Sequence, residues 1–358
     1  MSKFYPLTVA AVKHETRDAI AVTFDVPPEL KDSFGYRQGQ HLTLRAMIDG
    51  EDVRRSYSIC SAVQDDTLRV AIKRTPGGQF STWANETLKP GIKLDVMPPM
   101  GHFNVPLDPA NDKHYLAFAA GSGITPILSI LKTTLLAEPK SRFTLFYGNR
   151  ASSSVIFRDE LTDLKDLFME RLNLVYVMSR EQQDIELFNG RITQDKCRLF
   201  LRHWVRAEDF DVAFICGPED MMHGVSSALQ EAGMPKERIR IELFAASIPK
   251  HEHKPRPIEV GTRHQTEVTV IMDGNHASFT MDKDKESLLD AGLRAGLDMR
   301  YSCKGGVCST CRCRVVEGEV EMDVNYALED YEVARGFVLS CQSFPVTDKV
   351  VVDFDVAE

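Results

Sequence analysis

Three cysteines fall in Tyr301-Ser-Cys303-Lys-Gly-Gly-Val-Cys308-Ser-Thr-Cys311, a C-x4-C-x2-C run, and a fourth, Cys341, follows after 29 intervening residues. Four thiolates at that spacing suit a [2Fe–2S] cluster, with two protein sulfurs on each iron. Gly305 and Gly306 let the loop wrap tightly and turn backbone N–H groups towards the sulfurs. A structural zinc site is the alternative for any four-cysteine set. Zinc loops usually pair two short C-x2-4-C knuckles, however, and one such pair is present here. Cys313 alternates out of the loop and reads as a bystander.

Three further stretches have the composition of phosphate and ring binders. Arg55-Ser-Tyr57-Ser58-Ile59 offers a forked donor, a flat face and a hydroxyl. Strand alternation puts Arg55, Tyr57 and Ile59 on one side and Ser58 on the other, so a bend or a backbone contact must bring them together. Lys73-Arg-Thr-Pro-Gly77-Gly78-Gln-Phe80-Ser81-Thr82 joins flexible glycines to hydroxyls that open a helix, a cradle for a diphosphate or equally a plain turn into a helix. Gly121-Ser122-Gly123-Ile-Thr125-Pro126 follows a buried strand. Its glycines admit a pyrophosphate, Thr125 can cap, and Pro126 suits the first helical position. Pro126 takes the place of the third glycine of G-x-G-x-x-G, so the common dinucleotide fingerprint is absent.

The elements that must position these stretches change character along the chain. A length of 358 residues calls for two or three domains. Residues 1–108 hold short alternating strands (Leu7–Val12, Ala19–Val26, His41–Met47, Arg54–Cys60, Leu68–Lys73) and predict a small antiparallel barrel. Residues 109–246 alternate apolar strands with helical periods, which predicts a parallel sheet with helices on both faces. The strands lie at Tyr115–Ala120, Phe143–Tyr147, Leu172–Met178 and Val212–Cys216, and the helices at Ile127–Ala137, Phe157–Leu167 and Met221–Ala232. Residues 247–265 read as a proline-rich tether in which His251 and His253 are solvated rather than metal ligands. Residues 266–358 open with a hairpin, continue through a helix over Leu288–Leu297 capped by Asp284, and have the size of an α+β β-grasp unit.

Composition narrows the function classes. The net charge of −9 lies wholly within Thr266–Glu358, which carries 18 acidic and 9 basic residues. An acidic module on a neutral body argues against nucleic-acid binding and suits docking on a basic protein surface. The first fifteen residues lack a secretory pattern. Tyr115–Leu131 is uncharged, but its glycines and Pro126 make it a strand, turn and helix rather than a membrane span. Cys60, Cys197 and Cys216 are scattered, as expected of a reducing cytoplasm.

Taken in order, Arg55-Ser-Tyr57-Ser58, Gly78-Gln-Phe-Ser81-Thr82, Gly121-Ser-Gly-Ile-Thr-Pro126 and Cys216-Gly217-Pro218-Glu-Asp-Met resemble the motifs of the plant-type ferredoxin–NADP reductase superfamily. Residues from about 266 onward resemble a plant-type ferredoxin. The resemblance implies an oxidoreductase with FAD, a nicotinamide dinucleotide and a [2Fe–2S] cluster on Cys303, Cys308, Cys311 and Cys341. Tyr57 would stack on the flavin ring, Ser58 would sit near its hydride-accepting nitrogen, and Arg55, Ile59, Lys73, Gly78, Phe80, Ser81 and Thr82 would complete the FAD site. Gly121, Ser122, Gly123, Thr125 and Pro126 would hold the dinucleotide, with Cys216, Gly217 and Pro218 bordering the nicotinamide. Phe244, in Ile241-Glu-Leu-Phe244, would shield the flavin.

Ser179-Arg180-Glu-Gln182 resembles the segment with which NADP-specific members hold the 2′-phosphate, so NADPH is expected over NADH, with Arg150 or Arg158 adding charge. The order of modules resembles the reductase components of multicomponent oxygenases. Val96-Met-Pro-Pro-Met-Gly101-His-Phe103, Tyr147-Gly-Asn-Arg150 and Leu339-Ser-Cys-Gln342 are most similar to the reductases of phenylacetyl-CoA epoxidases, which implies a di-iron oxygenase as recipient. Reductases of ketosteroid or alkane hydroxylases share the architecture, and a redox sensor with a vestigial nicotinamide site is the non-enzyme alternative. Hydride transfer needs no catalytic acid or base, and none is expected.

Overall fold

The computed structural model describes residues 4–244 and 264–356. The expected tether, with His251, His253, Pro255 and Pro257, lies outside the described residues except for its last two.

The first sheet has six strands: β1 (Tyr5–Thr16), β2 (Ala19–Asp25), β3 (His41–Ile48), β4 (Glu51–Ser58), β5 (Leu68–Lys73) and β6 (Lys93–Val96), in the order β4-β3-β6-β1-β2-β5. Asp49 and Gly50, at φ 52° and 83°, make the tight turn between β3 and β4 that right-twisted hairpins prefer. An antiparallel bridge from Ile59, just past β4, to Val70 on β5 joins the two edge strands and closes the ring. Leu7, Val22, Leu44, Val70, Ile72 and Val96 fill its interior. Helix α1 (Gln79–Thr87) lies against it through Phe80 and Ala84.

The second sheet contains β7 (His114–Ala120), β8 (Arg142–Asn149), β9 (Leu172–Met178), β10 (Val212–Cys216) and β11 (Ile239–Glu242), in the order β11-β10-β7-β8-β9 and parallel throughout. Helices α2 (Ile124–Ala137) and α3 (Arg158–Leu167) pack on one face, and α4 (Gln194–His203) and α5 (Glu219–Glu231) on the other. The chain therefore winds outward from β7 in one direction and then, from β10, in the other. That is the doubly wound order, with its switch point between β7 and β10. The uncharged Tyr115–Leu131 stretch becomes β7 and most of α2, and among the described residues no helix is long and apolar enough to cross a membrane.

These two sheets share one compact unit. Arg69 of β5 donates to both carboxylate oxygens of Glu160 on α3, at 3.0 and 2.7 Å. Lys132 of α2 pairs with Asp65 at 2.7 Å, and the buried Ser129 hydroxyl donates to the Ser61 carbonyl at 2.7 Å. Partly buried, bidentate and cross-linked pairs of this kind hold better than isolated surface pairs.

The cluster module has β12 (Gln265–Met272), β13 (Asn275–Asp282), α6 (Leu288–Arg294), β14 (Arg312–Glu317), β15 (Val320–Met322), α7 (Asp330–Ala334), β16 (Phe337–Leu339), β17 (Ser343–Pro345) and β18 (Lys349–Asp353). Its main sheet runs β13-β12-β18-β14-β16, with β12 and β18 parallel and the other pairs antiparallel. The helix cap differs from the expected Asp284: the Ser287 hydroxyl accepts from Asp290 N at 3.1 Å, so α6 starts at Leu288, the first residue of its apolar stripe. Leu288 and Leu289 are fully buried, and Leu293 and Leu297 pack partly buried on the same core.

Candidate redox sites

The switch point places Gly121–Gly123 after β7 opposite Cys216–Gly217 after β10. A Cβ on Gly123 would stand 2.1 Å from the Cys216 carbonyl oxygen, and one on Gly217 would meet Met221 Cε at 2.5 Å and Ala120 Cβ at 3.2 Å. Only bare backbone fits that closely, and it leaves a crevice floored by peptide groups at the carboxyl ends of the two strands. Gly121, at φ 54°, is fixed from below by the Tyr147 hydroxyl, which donates to its carbonyl at 3.0 Å. The capping expectation for Thr125 fails. Gly121–Gly123 form a 3-10 turn continuous with α2, and the Thr125 hydroxyl donates back to the Ser122 carbonyl at 3.0 Å. Pro126 therefore sits third in α2, where a missing N–H is still tolerated. Pro218 precedes the first residue of α5.

The barrel delivers its residues to the same crevice. Strand β4 ends at Ser58, and Ile59 bridges to Val70 of β5 while its N–H donates to the Gln40 carbonyl at 2.8 Å. Tyr57 lies partly buried with its ring 5.7 Å from that of Phe80, tilted by 38°. The buried Ser58 hydroxyl donates to Glu242 Oε2 at 3.1 Å, linking the end of β4 to the end of β11. Lys73 Nζ, at the end of β5, lies 3.7 Å from where a Cβ on Gly121 would stand and 3.9 Å from Asp18 Oδ2. In the turn before α1, Gly78 is the residue preceding the helix. The Ser81 hydroxyl is used inside this turn: it donates to the Gly78 carbonyl at 3.2 Å and accepts from Thr75 N at 3.1 Å. Thr82 N bonds the Gly78 carbonyl at 3.0 Å. Arg55 is exposed, and its guanidinium donates to the Arg54 carbonyl at 2.7 Å rather than to this turn. Phe244 packs half-buried against the core on the α2 face.

Glu242 is the residue that sequence reasoning missed. The residue as a whole is half-buried, but its carboxyl lies where the ends of β4, β10 and β11 meet, and burial pushes it up to about 8 against the pull of the Ser58 hydroxyl bond. Burial also pushes the Cys216 thiol well above the usual thiol range, and the adjacent Glu242 charge adds to the effect. Both groups are thus held in their neutral forms at neutral pH, beside the crevice floor.

In the cluster module, the four loop cysteines converge. Cys308 Sγ lies 3.1 Å from Cys303 Sγ, and Cys341 contacts both Cys303 and Cys311. Bonds from Cys308 and Cys341, helped by the Gly305 and Val307 amides, hold the Cys303 thiol well below the usual range, and the same contacts push the Cys308 and Cys341 thiols above it. Gly305 N stands 3.4 Å from Cys303 Sγ, and the loop is wound so that Lys304 and Gly306 take φ 52° and 74°. The Ser340 hydroxyl, one residue before Cys341, is buried with no hydrogen-bond partner among the described residues, an unanswered donor of the kind a sulfide satisfies. Among the described residues no three metal-binding side chains close around a single ion position, and a binuclear cluster, with two protein sulfurs per iron, does not require that. The donor set fits a [2Fe–2S] cluster. Cys313 is buried in β14, outside the set.

Residues 6–105 match the family described as oxidoreductase FAD-binding domain, 118–227 the oxidoreductase NAD-binding domain, and 270–346 the 2Fe-2S iron-sulfur cluster binding domain. The chain is 47% identical over 355 residues to one of the subunits of the 1,2-phenylacetyl-CoA epoxidase of Escherichia coli, covering 99% of each chain. It is 37% identical to the ferredoxin reductase component of the 3-ketosteroid-9-alpha-monooxygenase of Rhodococcus rhodochrous, covering 97% of this chain and 96% of that one. The chain belongs to the ferredoxin–NADP reductase superfamily, in the branch that carries a [2Fe–2S] domain. Phthalate dioxygenase reductase, at 23% identity, shares the fold over 98% of both chains with a TM-score of 0.57. The protein is accordingly an NAD(P)H-dependent oxidoreductase with flavin, nicotinamide and cluster domains.

In this reductase, arginines cluster past the carboxyl ends of β8 and β9. Arg150 and Arg180 are exposed just past the ends of the neighbouring strands β8 and β9, tied together by Ser179 N to the Asn149 carbonyl at 2.9 Å and Arg180 N to the Arg150 carbonyl at 2.8 Å. Arg158 opens α3 close to Glu181, whose carboxylate accepts from both the amide and the hydroxyl of Ser152. Glu181 is thereby engaged, leaving Arg150 and Arg180 without an ion-pair partner among the described residues.

Proposed function

We propose that the protein is the reductase component of a phenylacetyl-CoA epoxidase, taking hydride from NADPH and delivering single electrons to a cytoplasmic di-iron oxygenase partner. The end-to-end identity of 47% to a component of the Escherichia coli epoxidase carries the choice of recipient. When bound, FAD supplies hydride acceptance and the [2Fe–2S] cluster supplies one-electron relay.

The chain's own residues position these groups. Tyr57 offers the flat face for the flavin ring, backed by Phe80. Lys73 and the Gly78–Thr82 turn take the FAD phosphates, with the α1 N-terminus adding its partial positive charge, and Arg55 joins them by exchanging its bond to the Arg54 carbonyl for a phosphate. Gly121, Ser122, Gly123, Thr125 and Pro126 take the dinucleotide pyrophosphate. Cys216, Gly217 and Pro218 border the nicotinamide, and Ser58, tied to Glu242, sets the edge where hydride crosses. Neutral Glu242 and Cys216 keep fixed negative charge away from that edge, and Phe244 closes over the ring in the absence of nicotinamide. Cys303, Cys308, Cys311 and Cys341 hold the cluster. Arg180 and Ser179, with Arg150 and Arg158, recognise the 2′-phosphate, since free guanidinium groups at that end favour NADPH over NADH.

The test is anaerobic stopped-flow reduction with NADPH and with NADH, followed by turnover with phenylacetyl-CoA and the epoxidase oxygenase component. NADPH should bleach the flavin band first and the cluster band after it, faster than NADH, and should support epoxidation. A protein that stays colourless after reconstitution with flavin, iron and sulfide would exclude the reading. Rapid reduction without epoxidation would redirect it to another oxygenase.

A further inference from the structure

The four sulfurs leave one side chain unexplained beside them. Gln342 follows Cys341 and is half-buried, at the edge where Cys303, the least buried of the four cysteines, is also found. Its amide nitrogen donates to the Lys304 carbonyl at 3.1 Å and lies 3.8 Å from Cys341 Sγ, a sulfur hydrogen-bond distance. One –NH2 group carries two hydrogens, so both bonds can be made at once. Lys304 is a non-glycine residue at φ 52°, a conformation its Cβ disfavours, and the Gln342 amide ties down its carbonyl. The methylene stem fills the space left bare by Gly306, whose Cβ would stand 3.2 Å from Gln342 Cγ. The backbone is fixed as well: Gln342 N bonds the Leu339 carbonyl at 2.8 Å, and the Gln342 carbonyl accepts from Asp323 N at 2.9 Å.

We propose that Gln342 sets the reduction potential of the cluster and is the positioning residue for the lip of its loop. This inference rests on the [2Fe–2S] reading of the four cysteines and is independent of which oxygenase receives the electrons. A donor aimed at a ligating sulfur stabilises the reduced, more negative cluster and raises its potential. The same amide stitches the Cys303–Cys308 loop to the turn between β16 and β17 that bears Cys341, so the side chain serves the first and the last ligand together. A glutamine in a merely packed position would need neither bond.

The experiment is spectroelectrochemical titration of the cluster in the intact, flavin-loaded protein, comparing wild type with Gln342→Leu and Gln342→Asn. Leucine keeps the bulk and removes the amide. Asparagine keeps the amide but, one methylene shorter, cannot span both partners. Both variants should become harder to reduce, with about a tenfold fall in the one-electron equilibrium constant against a fixed donor, which is about 59 mV. The reduced-state electron paramagnetic resonance signal should change shape in parallel. Unchanged potentials in variants that retain full cluster absorbance would overturn the proposal. So would a shift in Gln342→Leu alone, because a loss confined to leucine would reflect local polarity rather than the bridging amide. If Gln342→Leu assembles no cluster, Gln342→Asn decides the question.

Discussion

At the scale of single residues, two side chains carry charge states with measurable consequences. Glu242 has an ordinary carboxyl value of 4.5 that burial raises to about 8. Below 4.5 folded and unfolded chains both hold the proton, and between 4.5 and 8 only the folded chain does. Unfolding then releases a proton, so stability falls as pH rises through that window, by at most about 1.4 kcal/mol per pH unit for one group. Glu242→Gln should flatten this part of the pH profile of thermal unfolding. A profile as steep as the wild type's would assign the slope to other groups. Arg180 gives the second test. If its guanidinium binds the 2′-phosphate, Arg180→Ala loses a charge-assisted bond of about 1.5–3 kcal/mol. KM for NADPH should rise about ten- to a hundredfold while KM for NADH barely moves, and equal changes for both would remove Arg180 from that role. The two residues also mark the limits of sequence reading. Arg180 sits in a local segment, Ser179-Arg180-Glu-Gln182, that can be picked out from the sequence alone. Glu242 becomes notable only because Ser58, 184 positions away in the chain, folds against it, and no local pattern records that contact.

At the scale of elements, close backbone approach decides what each turn tolerates. A Cβ at Gly123 would stand 2.1 Å from a backbone carbonyl of Cys216, and a Cβ at Gly292 would stand 2.0 Å from the Met299 sulfur. The distances are nearly equal but the costs are not. A thioether on rotatable bonds can swing aside, whereas the Cys216 carbonyl belongs to a strand paired on both sides. Gly292→Ala should therefore shift the melting temperature only slightly. Gly123→Ala should lose on the order of 1–3 kcal/mol and raise KM for the nicotinamide nucleotide, because β10 and α2 are forced apart at the crevice. Similar losses for both would mean that the α6 packing is as rigid as the strand ends. Elements are legible in the sequence where periodicity is strong, as in the nearly continuous apolar runs of β7, α2 and β10. Helix α4 is not, since in Gln194–His203 only Cys197 and Phe200 are buried and the stripe is too sparse to stand out. Strand β6 escapes because four residues between Pro90 and Pro98 give too short an alternation to separate from a loop.

At the scale of the whole molecule, the distribution of charge assigns different work to different modules. The 18 acidic and 9 basic residues of Thr266–Glu358 hold the entire net charge, while residues 1–265, the flavin and nicotinamide modules taken with the tether, carry no net charge. A negatively charged nicotinamide nucleotide thus meets a body without net repulsion, and the negative sign of the cluster module is the one that would favour a basic protein acceptor. The division of labour and the sign of the charge are both legible in the amino-acid sequence, because module order and residue counts survive without coordinates. The convergence of barrel and sheet on one crevice is not, since it depends on cross-module bonds such as Arg69 to Glu160. Electrostatic steering on the outlet module has a clear signature. Reduction of cytochrome c, a basic protein, should slow by about tenfold as ionic strength rises from about 0.01 to 0.3 M, because the Debye length shrinks well below the size of the acidic surface. Bleaching of the flavin by NADPH in the same protein should respond much less, since it occurs on the neutral body. A cytochrome c rate insensitive to salt would mean that the acidic residues of the cluster module merely face solvent. Removal of iron by a chelator separates the two stages again: NADPH should still bleach the flavin, while the salt-dependent cytochrome c rate should collapse. If it persisted after iron removal, the electrons would be leaving from the flavin, and the charge of the cluster module would have no part in their delivery.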